Sequence, residues 1–123
     1  NVDALSDENL IKIYLFDLIV GHVDRHAGNI VIDEVGNAWA IDNENIFGAD
    51  WMGEGTMREV ADNHILRNRM AGKPIPKHIK DKIRAVTYED FITAAAGIPK
   101  KRVDAAWRRR NRVLTWTRIP KLN

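Results

Sequence analysis

Two carboxylates and a carboxamide stand at close intervals near the start of this sequence: Asp24, Asn29 five residues later, and Asp42 thirteen after that. Between the last two run Ile30-Val31-Ile32, the turn-rich connector Asp33-Glu34-Val35-Gly36-Asn37, and Ala38-Trp39-Ala40-Ile41. Two short apolar runs around such a connector predict a β-hairpin, which returns the chain to the end from which it left. Asn29 and Asp42 then meet at one end, with Asp24 close ahead of them. That set suits phosphoryl transfer. In this chemistry the protein does little covalent work: one carboxylate accepts the proton of the acceptor hydroxyl, and two oxygen ligands hold magnesium against the phosphates of ATP. Asp24 fits the first task. Asn29 and Asp42 fit the second, because magnesium is a hard cation that prefers oxygen and takes only one or two carboxylates from protein.

The Asp-x-x-x-x-Asn spacing is that of the protein-kinase catalytic loop. The order Asp24-Arg25-His26 resembles the corresponding loop of the phosphatidylinositol 3- and 4-kinase-like family, and Ala40-Ile41-Asp42-Asn43 resembles that family's metal-binding segment. Its bacterial members, and more distantly the HipA-type kinases, share this layout. The resemblance covers Leu15 to Phe47. It implies a protein-kinase-like C-terminal lobe that uses Mg2+ with ATP, with Asp24 as base and Asn29 and Asp42 holding the metal and, through it, the nucleotide. His26 would touch the transferred phosphate or hold the loop by hydrogen bonds, and Arg25 would organise the loop. The sequence departs from the family where Asp42 is followed by Asn43-Glu44 rather than Phe-Gly, and where Glu44, Asp50 and Glu54 precede Arg58 as the lone cation. Such an acidic stretch is a poor receptor for a multiply phosphorylated headgroup, so the acceptor hydroxyl is expected on a protein or small molecule as readily as on a lipid.

A site of this kind needs rigid support. Ser6 is a good N-cap, Asp7 and Glu8 suit the positive end of a helix dipole, and Leu10 to Val20 is apolar nearly all round, which predicts a buried helix over 7–20. Under the resemblance it is the central helix that delivers the catalytic loop. Gly21 and Gly28 bracket that loop. Beyond the hairpin, Gly48, Gly53 and Gly55 with Phe47, Trp51 and Met52 form either a substrate-side loop or a plain connector whose Trp51 packs on the core.

Thr56 and Glu59 have capping-box spacing and predict a helix to Ala71, ended by Gly72 and Pro74-Ile75-Pro76. A short basic helix follows from Lys77 to Arg84, then one from Tyr88 to Ala96 capped by Thr87. Pro99 opens a last helix to about Arg118, with Val103, Ala106, Trp107, Val113 and Leu114 inward and Arg108, Arg109, Arg110 and Arg112 outward. The expected fold is α+β and mainly helical, a single kinase-like C-lobe. Residues 1–21 would form the central helix, 22–47 the catalytic loop and the short β-hairpin carrying the active site, and 48–123 the substrate-side loop and helical subdomain.

With 123 residues the chain suffices for one domain with a real core but is small for an enzyme that encloses a nucleotide. No strand precedes the first helix, and neither a glycine-rich loop nor a strand-borne lysine is present. The kinase N-lobe is therefore expected to have been cut away, to lie on another chain or to have been lost, and the start at Asn1 rather than Met agrees with an excised or processed piece. Residues 1–62 hold three Lys or Arg against thirteen Asp or Glu, and residues 63–123 hold sixteen against four. Such asymmetry means a basic surface for an acidic partner, two halves that face each other or a lost N-terminal half. Cysteine is absent, so disulfides and thiolate metal sites are excluded. The longest apolar stretch is too short for a membrane span and contains Lys12 and Asp17, which leaves the cytoplasm as the expected location.

Other readings compete. His22, Asp24 and His26 form H-x-D-x-H, a set able to hold zinc or iron in a metal-dependent hydrolase, but His64 and His78 supply no second cluster. His22 itself is expected to be structural. The basic C-terminal half has no aromatic ladder or reader motif for nucleic acid. A kinase-like interaction module without catalysis is the remaining alternative.

Overall fold

A computed structural model describes residues 6–22, 30–32, 38–40 and 57–122. Ser6 Oγ accepts the backbone N–H of Asn9 at 3.4 Å and opens α1, Asp7–Val20, over the span predicted from the sequence. Leu10, Tyr14, Leu15 and Leu18 are each no more than 1% exposed, so the all-round apolar helix is indeed the centre of the core. Its chain neighbours are β1 (Ile30–Ile32), β2 (Ala38–Ala40), α2 (Met57–Asp62), α3 (Arg67–Met70), α4 (Lys77–Ala85), α5 (Tyr88–Ala94) and α6 (Lys100–Val113). The architecture is mainly helical. α1 packs on α6, α2, α3 and β2, and α5 packs on α6.

The two strands pair antiparallel, with Ile30 opposite Ala40, Val31 opposite Trp39 and Ile32 opposite Ala38. Ile30 is buried against the core that α1 organises. The connector 33–37 and the end of the second run at Ile41 lie outside the described residues, as do Thr56 and the loop 48–55 with Trp51.

The single helix expected up to Ala71 is instead two, α2 and α3, separated at Asn63 to Leu66. His64 is the cause. Its ring turns inward, and Nδ1 accepts the backbone N–H of Leu66 at 3.1 Å, which replaces helical hydrogen bonding by a local turn. The last helix is also shorter than the predicted reach to Arg118 and stops at Val113. There Thr115 Oγ1 donates to the Arg112 carbonyl at 2.6 Å, and the chain doubles back on the Gly72 to Ile75 segment. Gly72 N–H donates to the Ile119 carbonyl, Ile119 N–H to that of Lys73 and Ile75 N–H to that of Thr117, at 2.7, 2.9 and 3.0 Å. Both Ile75 and Ile119 are buried by this closure. Residues 117–119 therefore bury more apolar surface extended than a continued, largely polar helix would.

α4 and α5 follow the sequence closely. Thr87 and Asp90 make a reciprocal capping box at the start of α5, and Pro99, at φ −54, precedes the first turn of α6. Among the described residues no helix is long and apolar enough to cross a membrane.

Candidate functional site

The loop singled out by the sequence leaves from the end of α1, and three independent interactions fix that end. The Asp17 carbonyl accepts the N–H groups of Gly21 and His22 at 2.9 and 3.0 Å. Gly21 makes this turn at φ 75, a left-handed conformation that any Cβ would disfavour. The Ile19 carbonyl, one of the helix-terminal acceptors left without an intrahelical partner, takes a hydrogen bond from Arg109 Nε of α6 at 2.8 Å. Arg109 is 0% exposed, which corrects the expectation that it faces outward with Arg108 and Arg112. The last fixing point is the Asp17 carboxylate, wholly buried and 2.7 Å from His64 Nε2.

The tautomer follows from the partners. His64 Nδ1 accepts from Leu66 N–H, so the ring proton sits on Nε2 and is donated to Asp17 Oδ2. A buried carboxylate without a donor would cost far more than an exposed one, and this imidazole supplies a donor while tying α1 to the turn between α2 and α3. Tyr14 sets its ring edge against His64, with centroids 4.9 Å apart and planes at 86°. Burial pushes the Tyr14 phenol up to about 12, with Arg67 opposing and Asp62 reinforcing the shift.

His22, at this fixed end, is 1% exposed. Asp24, Arg25, His26, Asn29 and Asp42 lie outside the described residues. What is described is the frame on either side of them: α1 ends four residues before Asp24, β1 begins one residue after Asn29, and β2 ends two residues before Asp42. Among the described residues no group of three or more His, Asp or Glu is placed to hold a metal ion.

Comparison with family models, with curated proteins and with solved structures finds no match.

Two polar residues of the frame were not assigned from the sequence, although each left a signal. Asp17 interrupts the apolar run from Ile13 to Val20, and a carboxylate there must either break the helix face or find a buried donor. Arg109 stands three residues after Ala106 and four before Val113, on the same stripe as the buried Val103. Its neighbours Arg108 and Arg110 hide that spacing.

The charge asymmetry of the sequence is partly an internal pairing. Asp7 of α1 bonds Lys73 and Arg69 at 3.0 and 2.8 Å, and these hold its carboxyl below the usual carboxylate range. Glu8 meets His78 at 2.7 Å and Asp62 meets Arg67 at 3.0 Å. Within the basic half, Asp81 joins Lys77 and Arg84, while Asp104 joins Lys100. Much of the basic character is thus committed to the fold rather than offered to a polyanion.

Proposed function

We propose that this chain is the C-terminal lobe of an ATP-dependent phosphotransferase, carrying its catalytic loop and metal-binding segment. The observation that carries the reading is the joint spacing of Asp24, Asn29 and Asp42 about two strands whose register pairs Ile30 with Ala40. Antiparallel pairing in that register supports convergence, because Asn29 and Asp42 are one residue before and two residues after a pair of directly opposed positions. The braced end of α1 supports it too, since a catalytic loop must be held to within a fraction of an ångström.

Asp24 accepts the proton of the acceptor hydroxyl. The donor set of Asn29 and Asp42, one amide oxygen and one carboxylate, suits magnesium, and bound Mg-ATP supplies the γ-phosphoryl group. Arg25 and His26 hold the loop and orient the transferred phosphate. A glycine-rich loop and a phosphate-binding lysine are supplied by a partner lobe, on the same chain or another. The acceptor is a hydroxyl of a lipid, a protein or a small molecule, and the acidic stretch 44–54 disfavours a multiply phosphorylated one.

Of the alternative hydrolase set, His22 is buried, and Asp24 and His26 lie outside the described residues. The test is Asp24→Asn and Asp42→Asn in the full-length protein, with phosphoryl transfer and unfolding measured on the same samples. Asp24→Asn is expected to lower turnover on the order of 100- to 10,000-fold and to keep Mg-ATP affinity within a few-fold, whereas Asp42→Asn weakens Mg-ATP binding itself. Turnover near wild type in either variant removes that residue from the site.

A further inference from the structure

Lys12 on α1 and Lys82 on α4 differ from most cations of this protein. Lys77, Arg84 and Lys100 bond acids, and Lys80 donates to the Trp116 carbonyl, but among the described residues Lys12 and Lys82 have no partner. Both border one trough of about 300 Å³. Its lining includes Leu15 and Ile19 from α1, Ile79 and Ile83 from α4, and Phe91 from α5. Phe16 and Val86, also in the lining, are 40% and 37% exposed, so the trough is open to water. Arg110 closes one side, where its guanidinium donates to the carbonyls of Arg84 and Val86 and lies 4.2 Å over the Trp107 ring.

The lining positions recur at helical intervals, 12, 15, 16 and 19 on α1 and 79, 82, 83 and 86 on and just beyond α4. At the rise of an α-helix, Lys12 to Val20 spans about 12 Å, or roughly two turns. Such a length accepts side chains spaced i, i+4 and i+7 on another helix. A ridge of that kind brings its own polar outer face to cover the trough, while an acyl chain laid in an open trough would leave one side in water. Lys12 and Lys82 set the charge of the flanks. A second copy of this chain is a poor occupant, because Asp7, Asp81 and Asp104 of its helices already bond their own cations.

We propose that this trough docks an acidic amphipathic helix of a partner protein, with apolar anchors over Leu15, Ile19 and Ile83 and carboxylates against Lys12 and Lys82. The proposal does not depend on the phosphotransferase reading, and the trough involves none of the residues assigned to transfer.

The probe is a labelled synthetic helix of about sixteen residues with Leu at i, i+4 and i+7 and Glu on both flanks. Its partner control carries Lys in place of every Glu. Titration of the whole protein by fluorescence anisotropy, with amide shifts to locate the contact, is expected to show saturable binding of the acidic peptide at the α1 and α4 walls. Lys12→Glu with Lys82→Glu, both at exposed positions and checked for unchanged unfolding, should weaken that binding at least about tenfold and transfer preference to the basic peptide. Equal binding of the two peptides overturns the proposal, as does binding untouched by the double reversal or no binding at all. Binding of phosphatidylserine vesicles that the double reversal abolishes, without peptide binding, gives the face to a membrane and equally overturns it. Self-association lost on the double reversal gives it to a second copy, with the same consequence.

Discussion

α1 and α6 are both fourteen residues long and pack on each other, yet they are built on opposite plans. α1 is apolar on nearly every face and is closed in by α2, α3, α6 and β2. α6 is dominated by Lys and Arg and buries a single stripe. Each nevertheless turns one ionisable group wholly inward, Asp17 from α1 and Arg109 from α6, and both serve the same four-residue end of α1. Asp17 fixes that end through its own carbonyl and through His64, while Arg109 reaches across from the neighbouring helix. A buried charge stands out in an apolar run and vanishes in a charged one, although its structural weight is the same.

The strongest way to break this comparison is to remove the two donors in turn. His64→Ala leaves the Asp17 carboxylate without its imidazole N–H inside the core, and the expected loss is on the order of 3 kcal/mol. Arg109→Met keeps an apolar stem in place and deprives Ile19 of one donor, an expected loss of about 1–2 kcal/mol. Urea unfolding of the two variants at neutral pH measures both. Should Arg109→Met prove the costlier, the end of α1 depends on the α6 crossing more than on the Asp17 pair, and the order argued above is reversed.

Alkaline pH sharpens the same contrast through Tyr14. Its phenol is neutral in the folded state up to about 12, while in the unfolded chain it ionises near 10. Above pH 10 the unfolded state sheds a proton that the folded state keeps, so stability is full below that pH and falls as pH rises towards 12. Two pH units correspond to about 2–3 kcal/mol. Tyr14→Phe should flatten this alkaline limb when unfolding is followed between pH 9 and 12, a range read from the shift itself. Tyr88 is raised too, first by its bond to Asp104 and only then by burial, so Tyr88→Phe should flatten the limb in the same direction but by less than Tyr14→Phe, because its exchange of partners takes place in water.

Much of the fold was legible because local chemistry and burial agreed. Ser6, Gly21, Thr87 and Pro99 set helix limits that tertiary packing had no reason to move. Where they disagreed, packing won. The stretch from Met57 to Met70 has the pattern of one helix, but the demand of Asp17 for a donor draws His64 inward and cuts it. Arg118 has no pattern that announces extended pairing with Pro74, because the gain comes from Ile75 and Ile119 meeting across a long sequence separation. The candidate site was legible as spacing and residue type alone. Its frame depends on contacts between residues such as Ile19 and Arg109 that no local pattern records.

The smallest expected effect comes from the exposed counterpart of the Asp17 pair. On α6, Lys100 bonds Asp104 at 2.6 Å, four residues along one helix face, and it holds the Asp104 carboxyl below the usual carboxylate range with help from the Tyr88 hydroxyl. Because the folded carboxyl is the stronger acid, the contribution is present above the ordinary carboxylate range and is lost as pH falls through the folded value. The pair lies in high dielectric, and the Lys100 side chain is 76% exposed, so salt and chain entropy offset most of the attraction. Lys100→Ala is therefore expected to leave the urea midpoint at pH 7 unchanged within error and to make the acid limb below pH 4 slightly shallower. It should do so only at low ionic strength. A clear loss at pH 7 that persists in molar salt would mean that Lys100 contributes by packing its stem on Tyr88 and Trp107, and the buried and exposed pairs would then differ less than their exposure suggests.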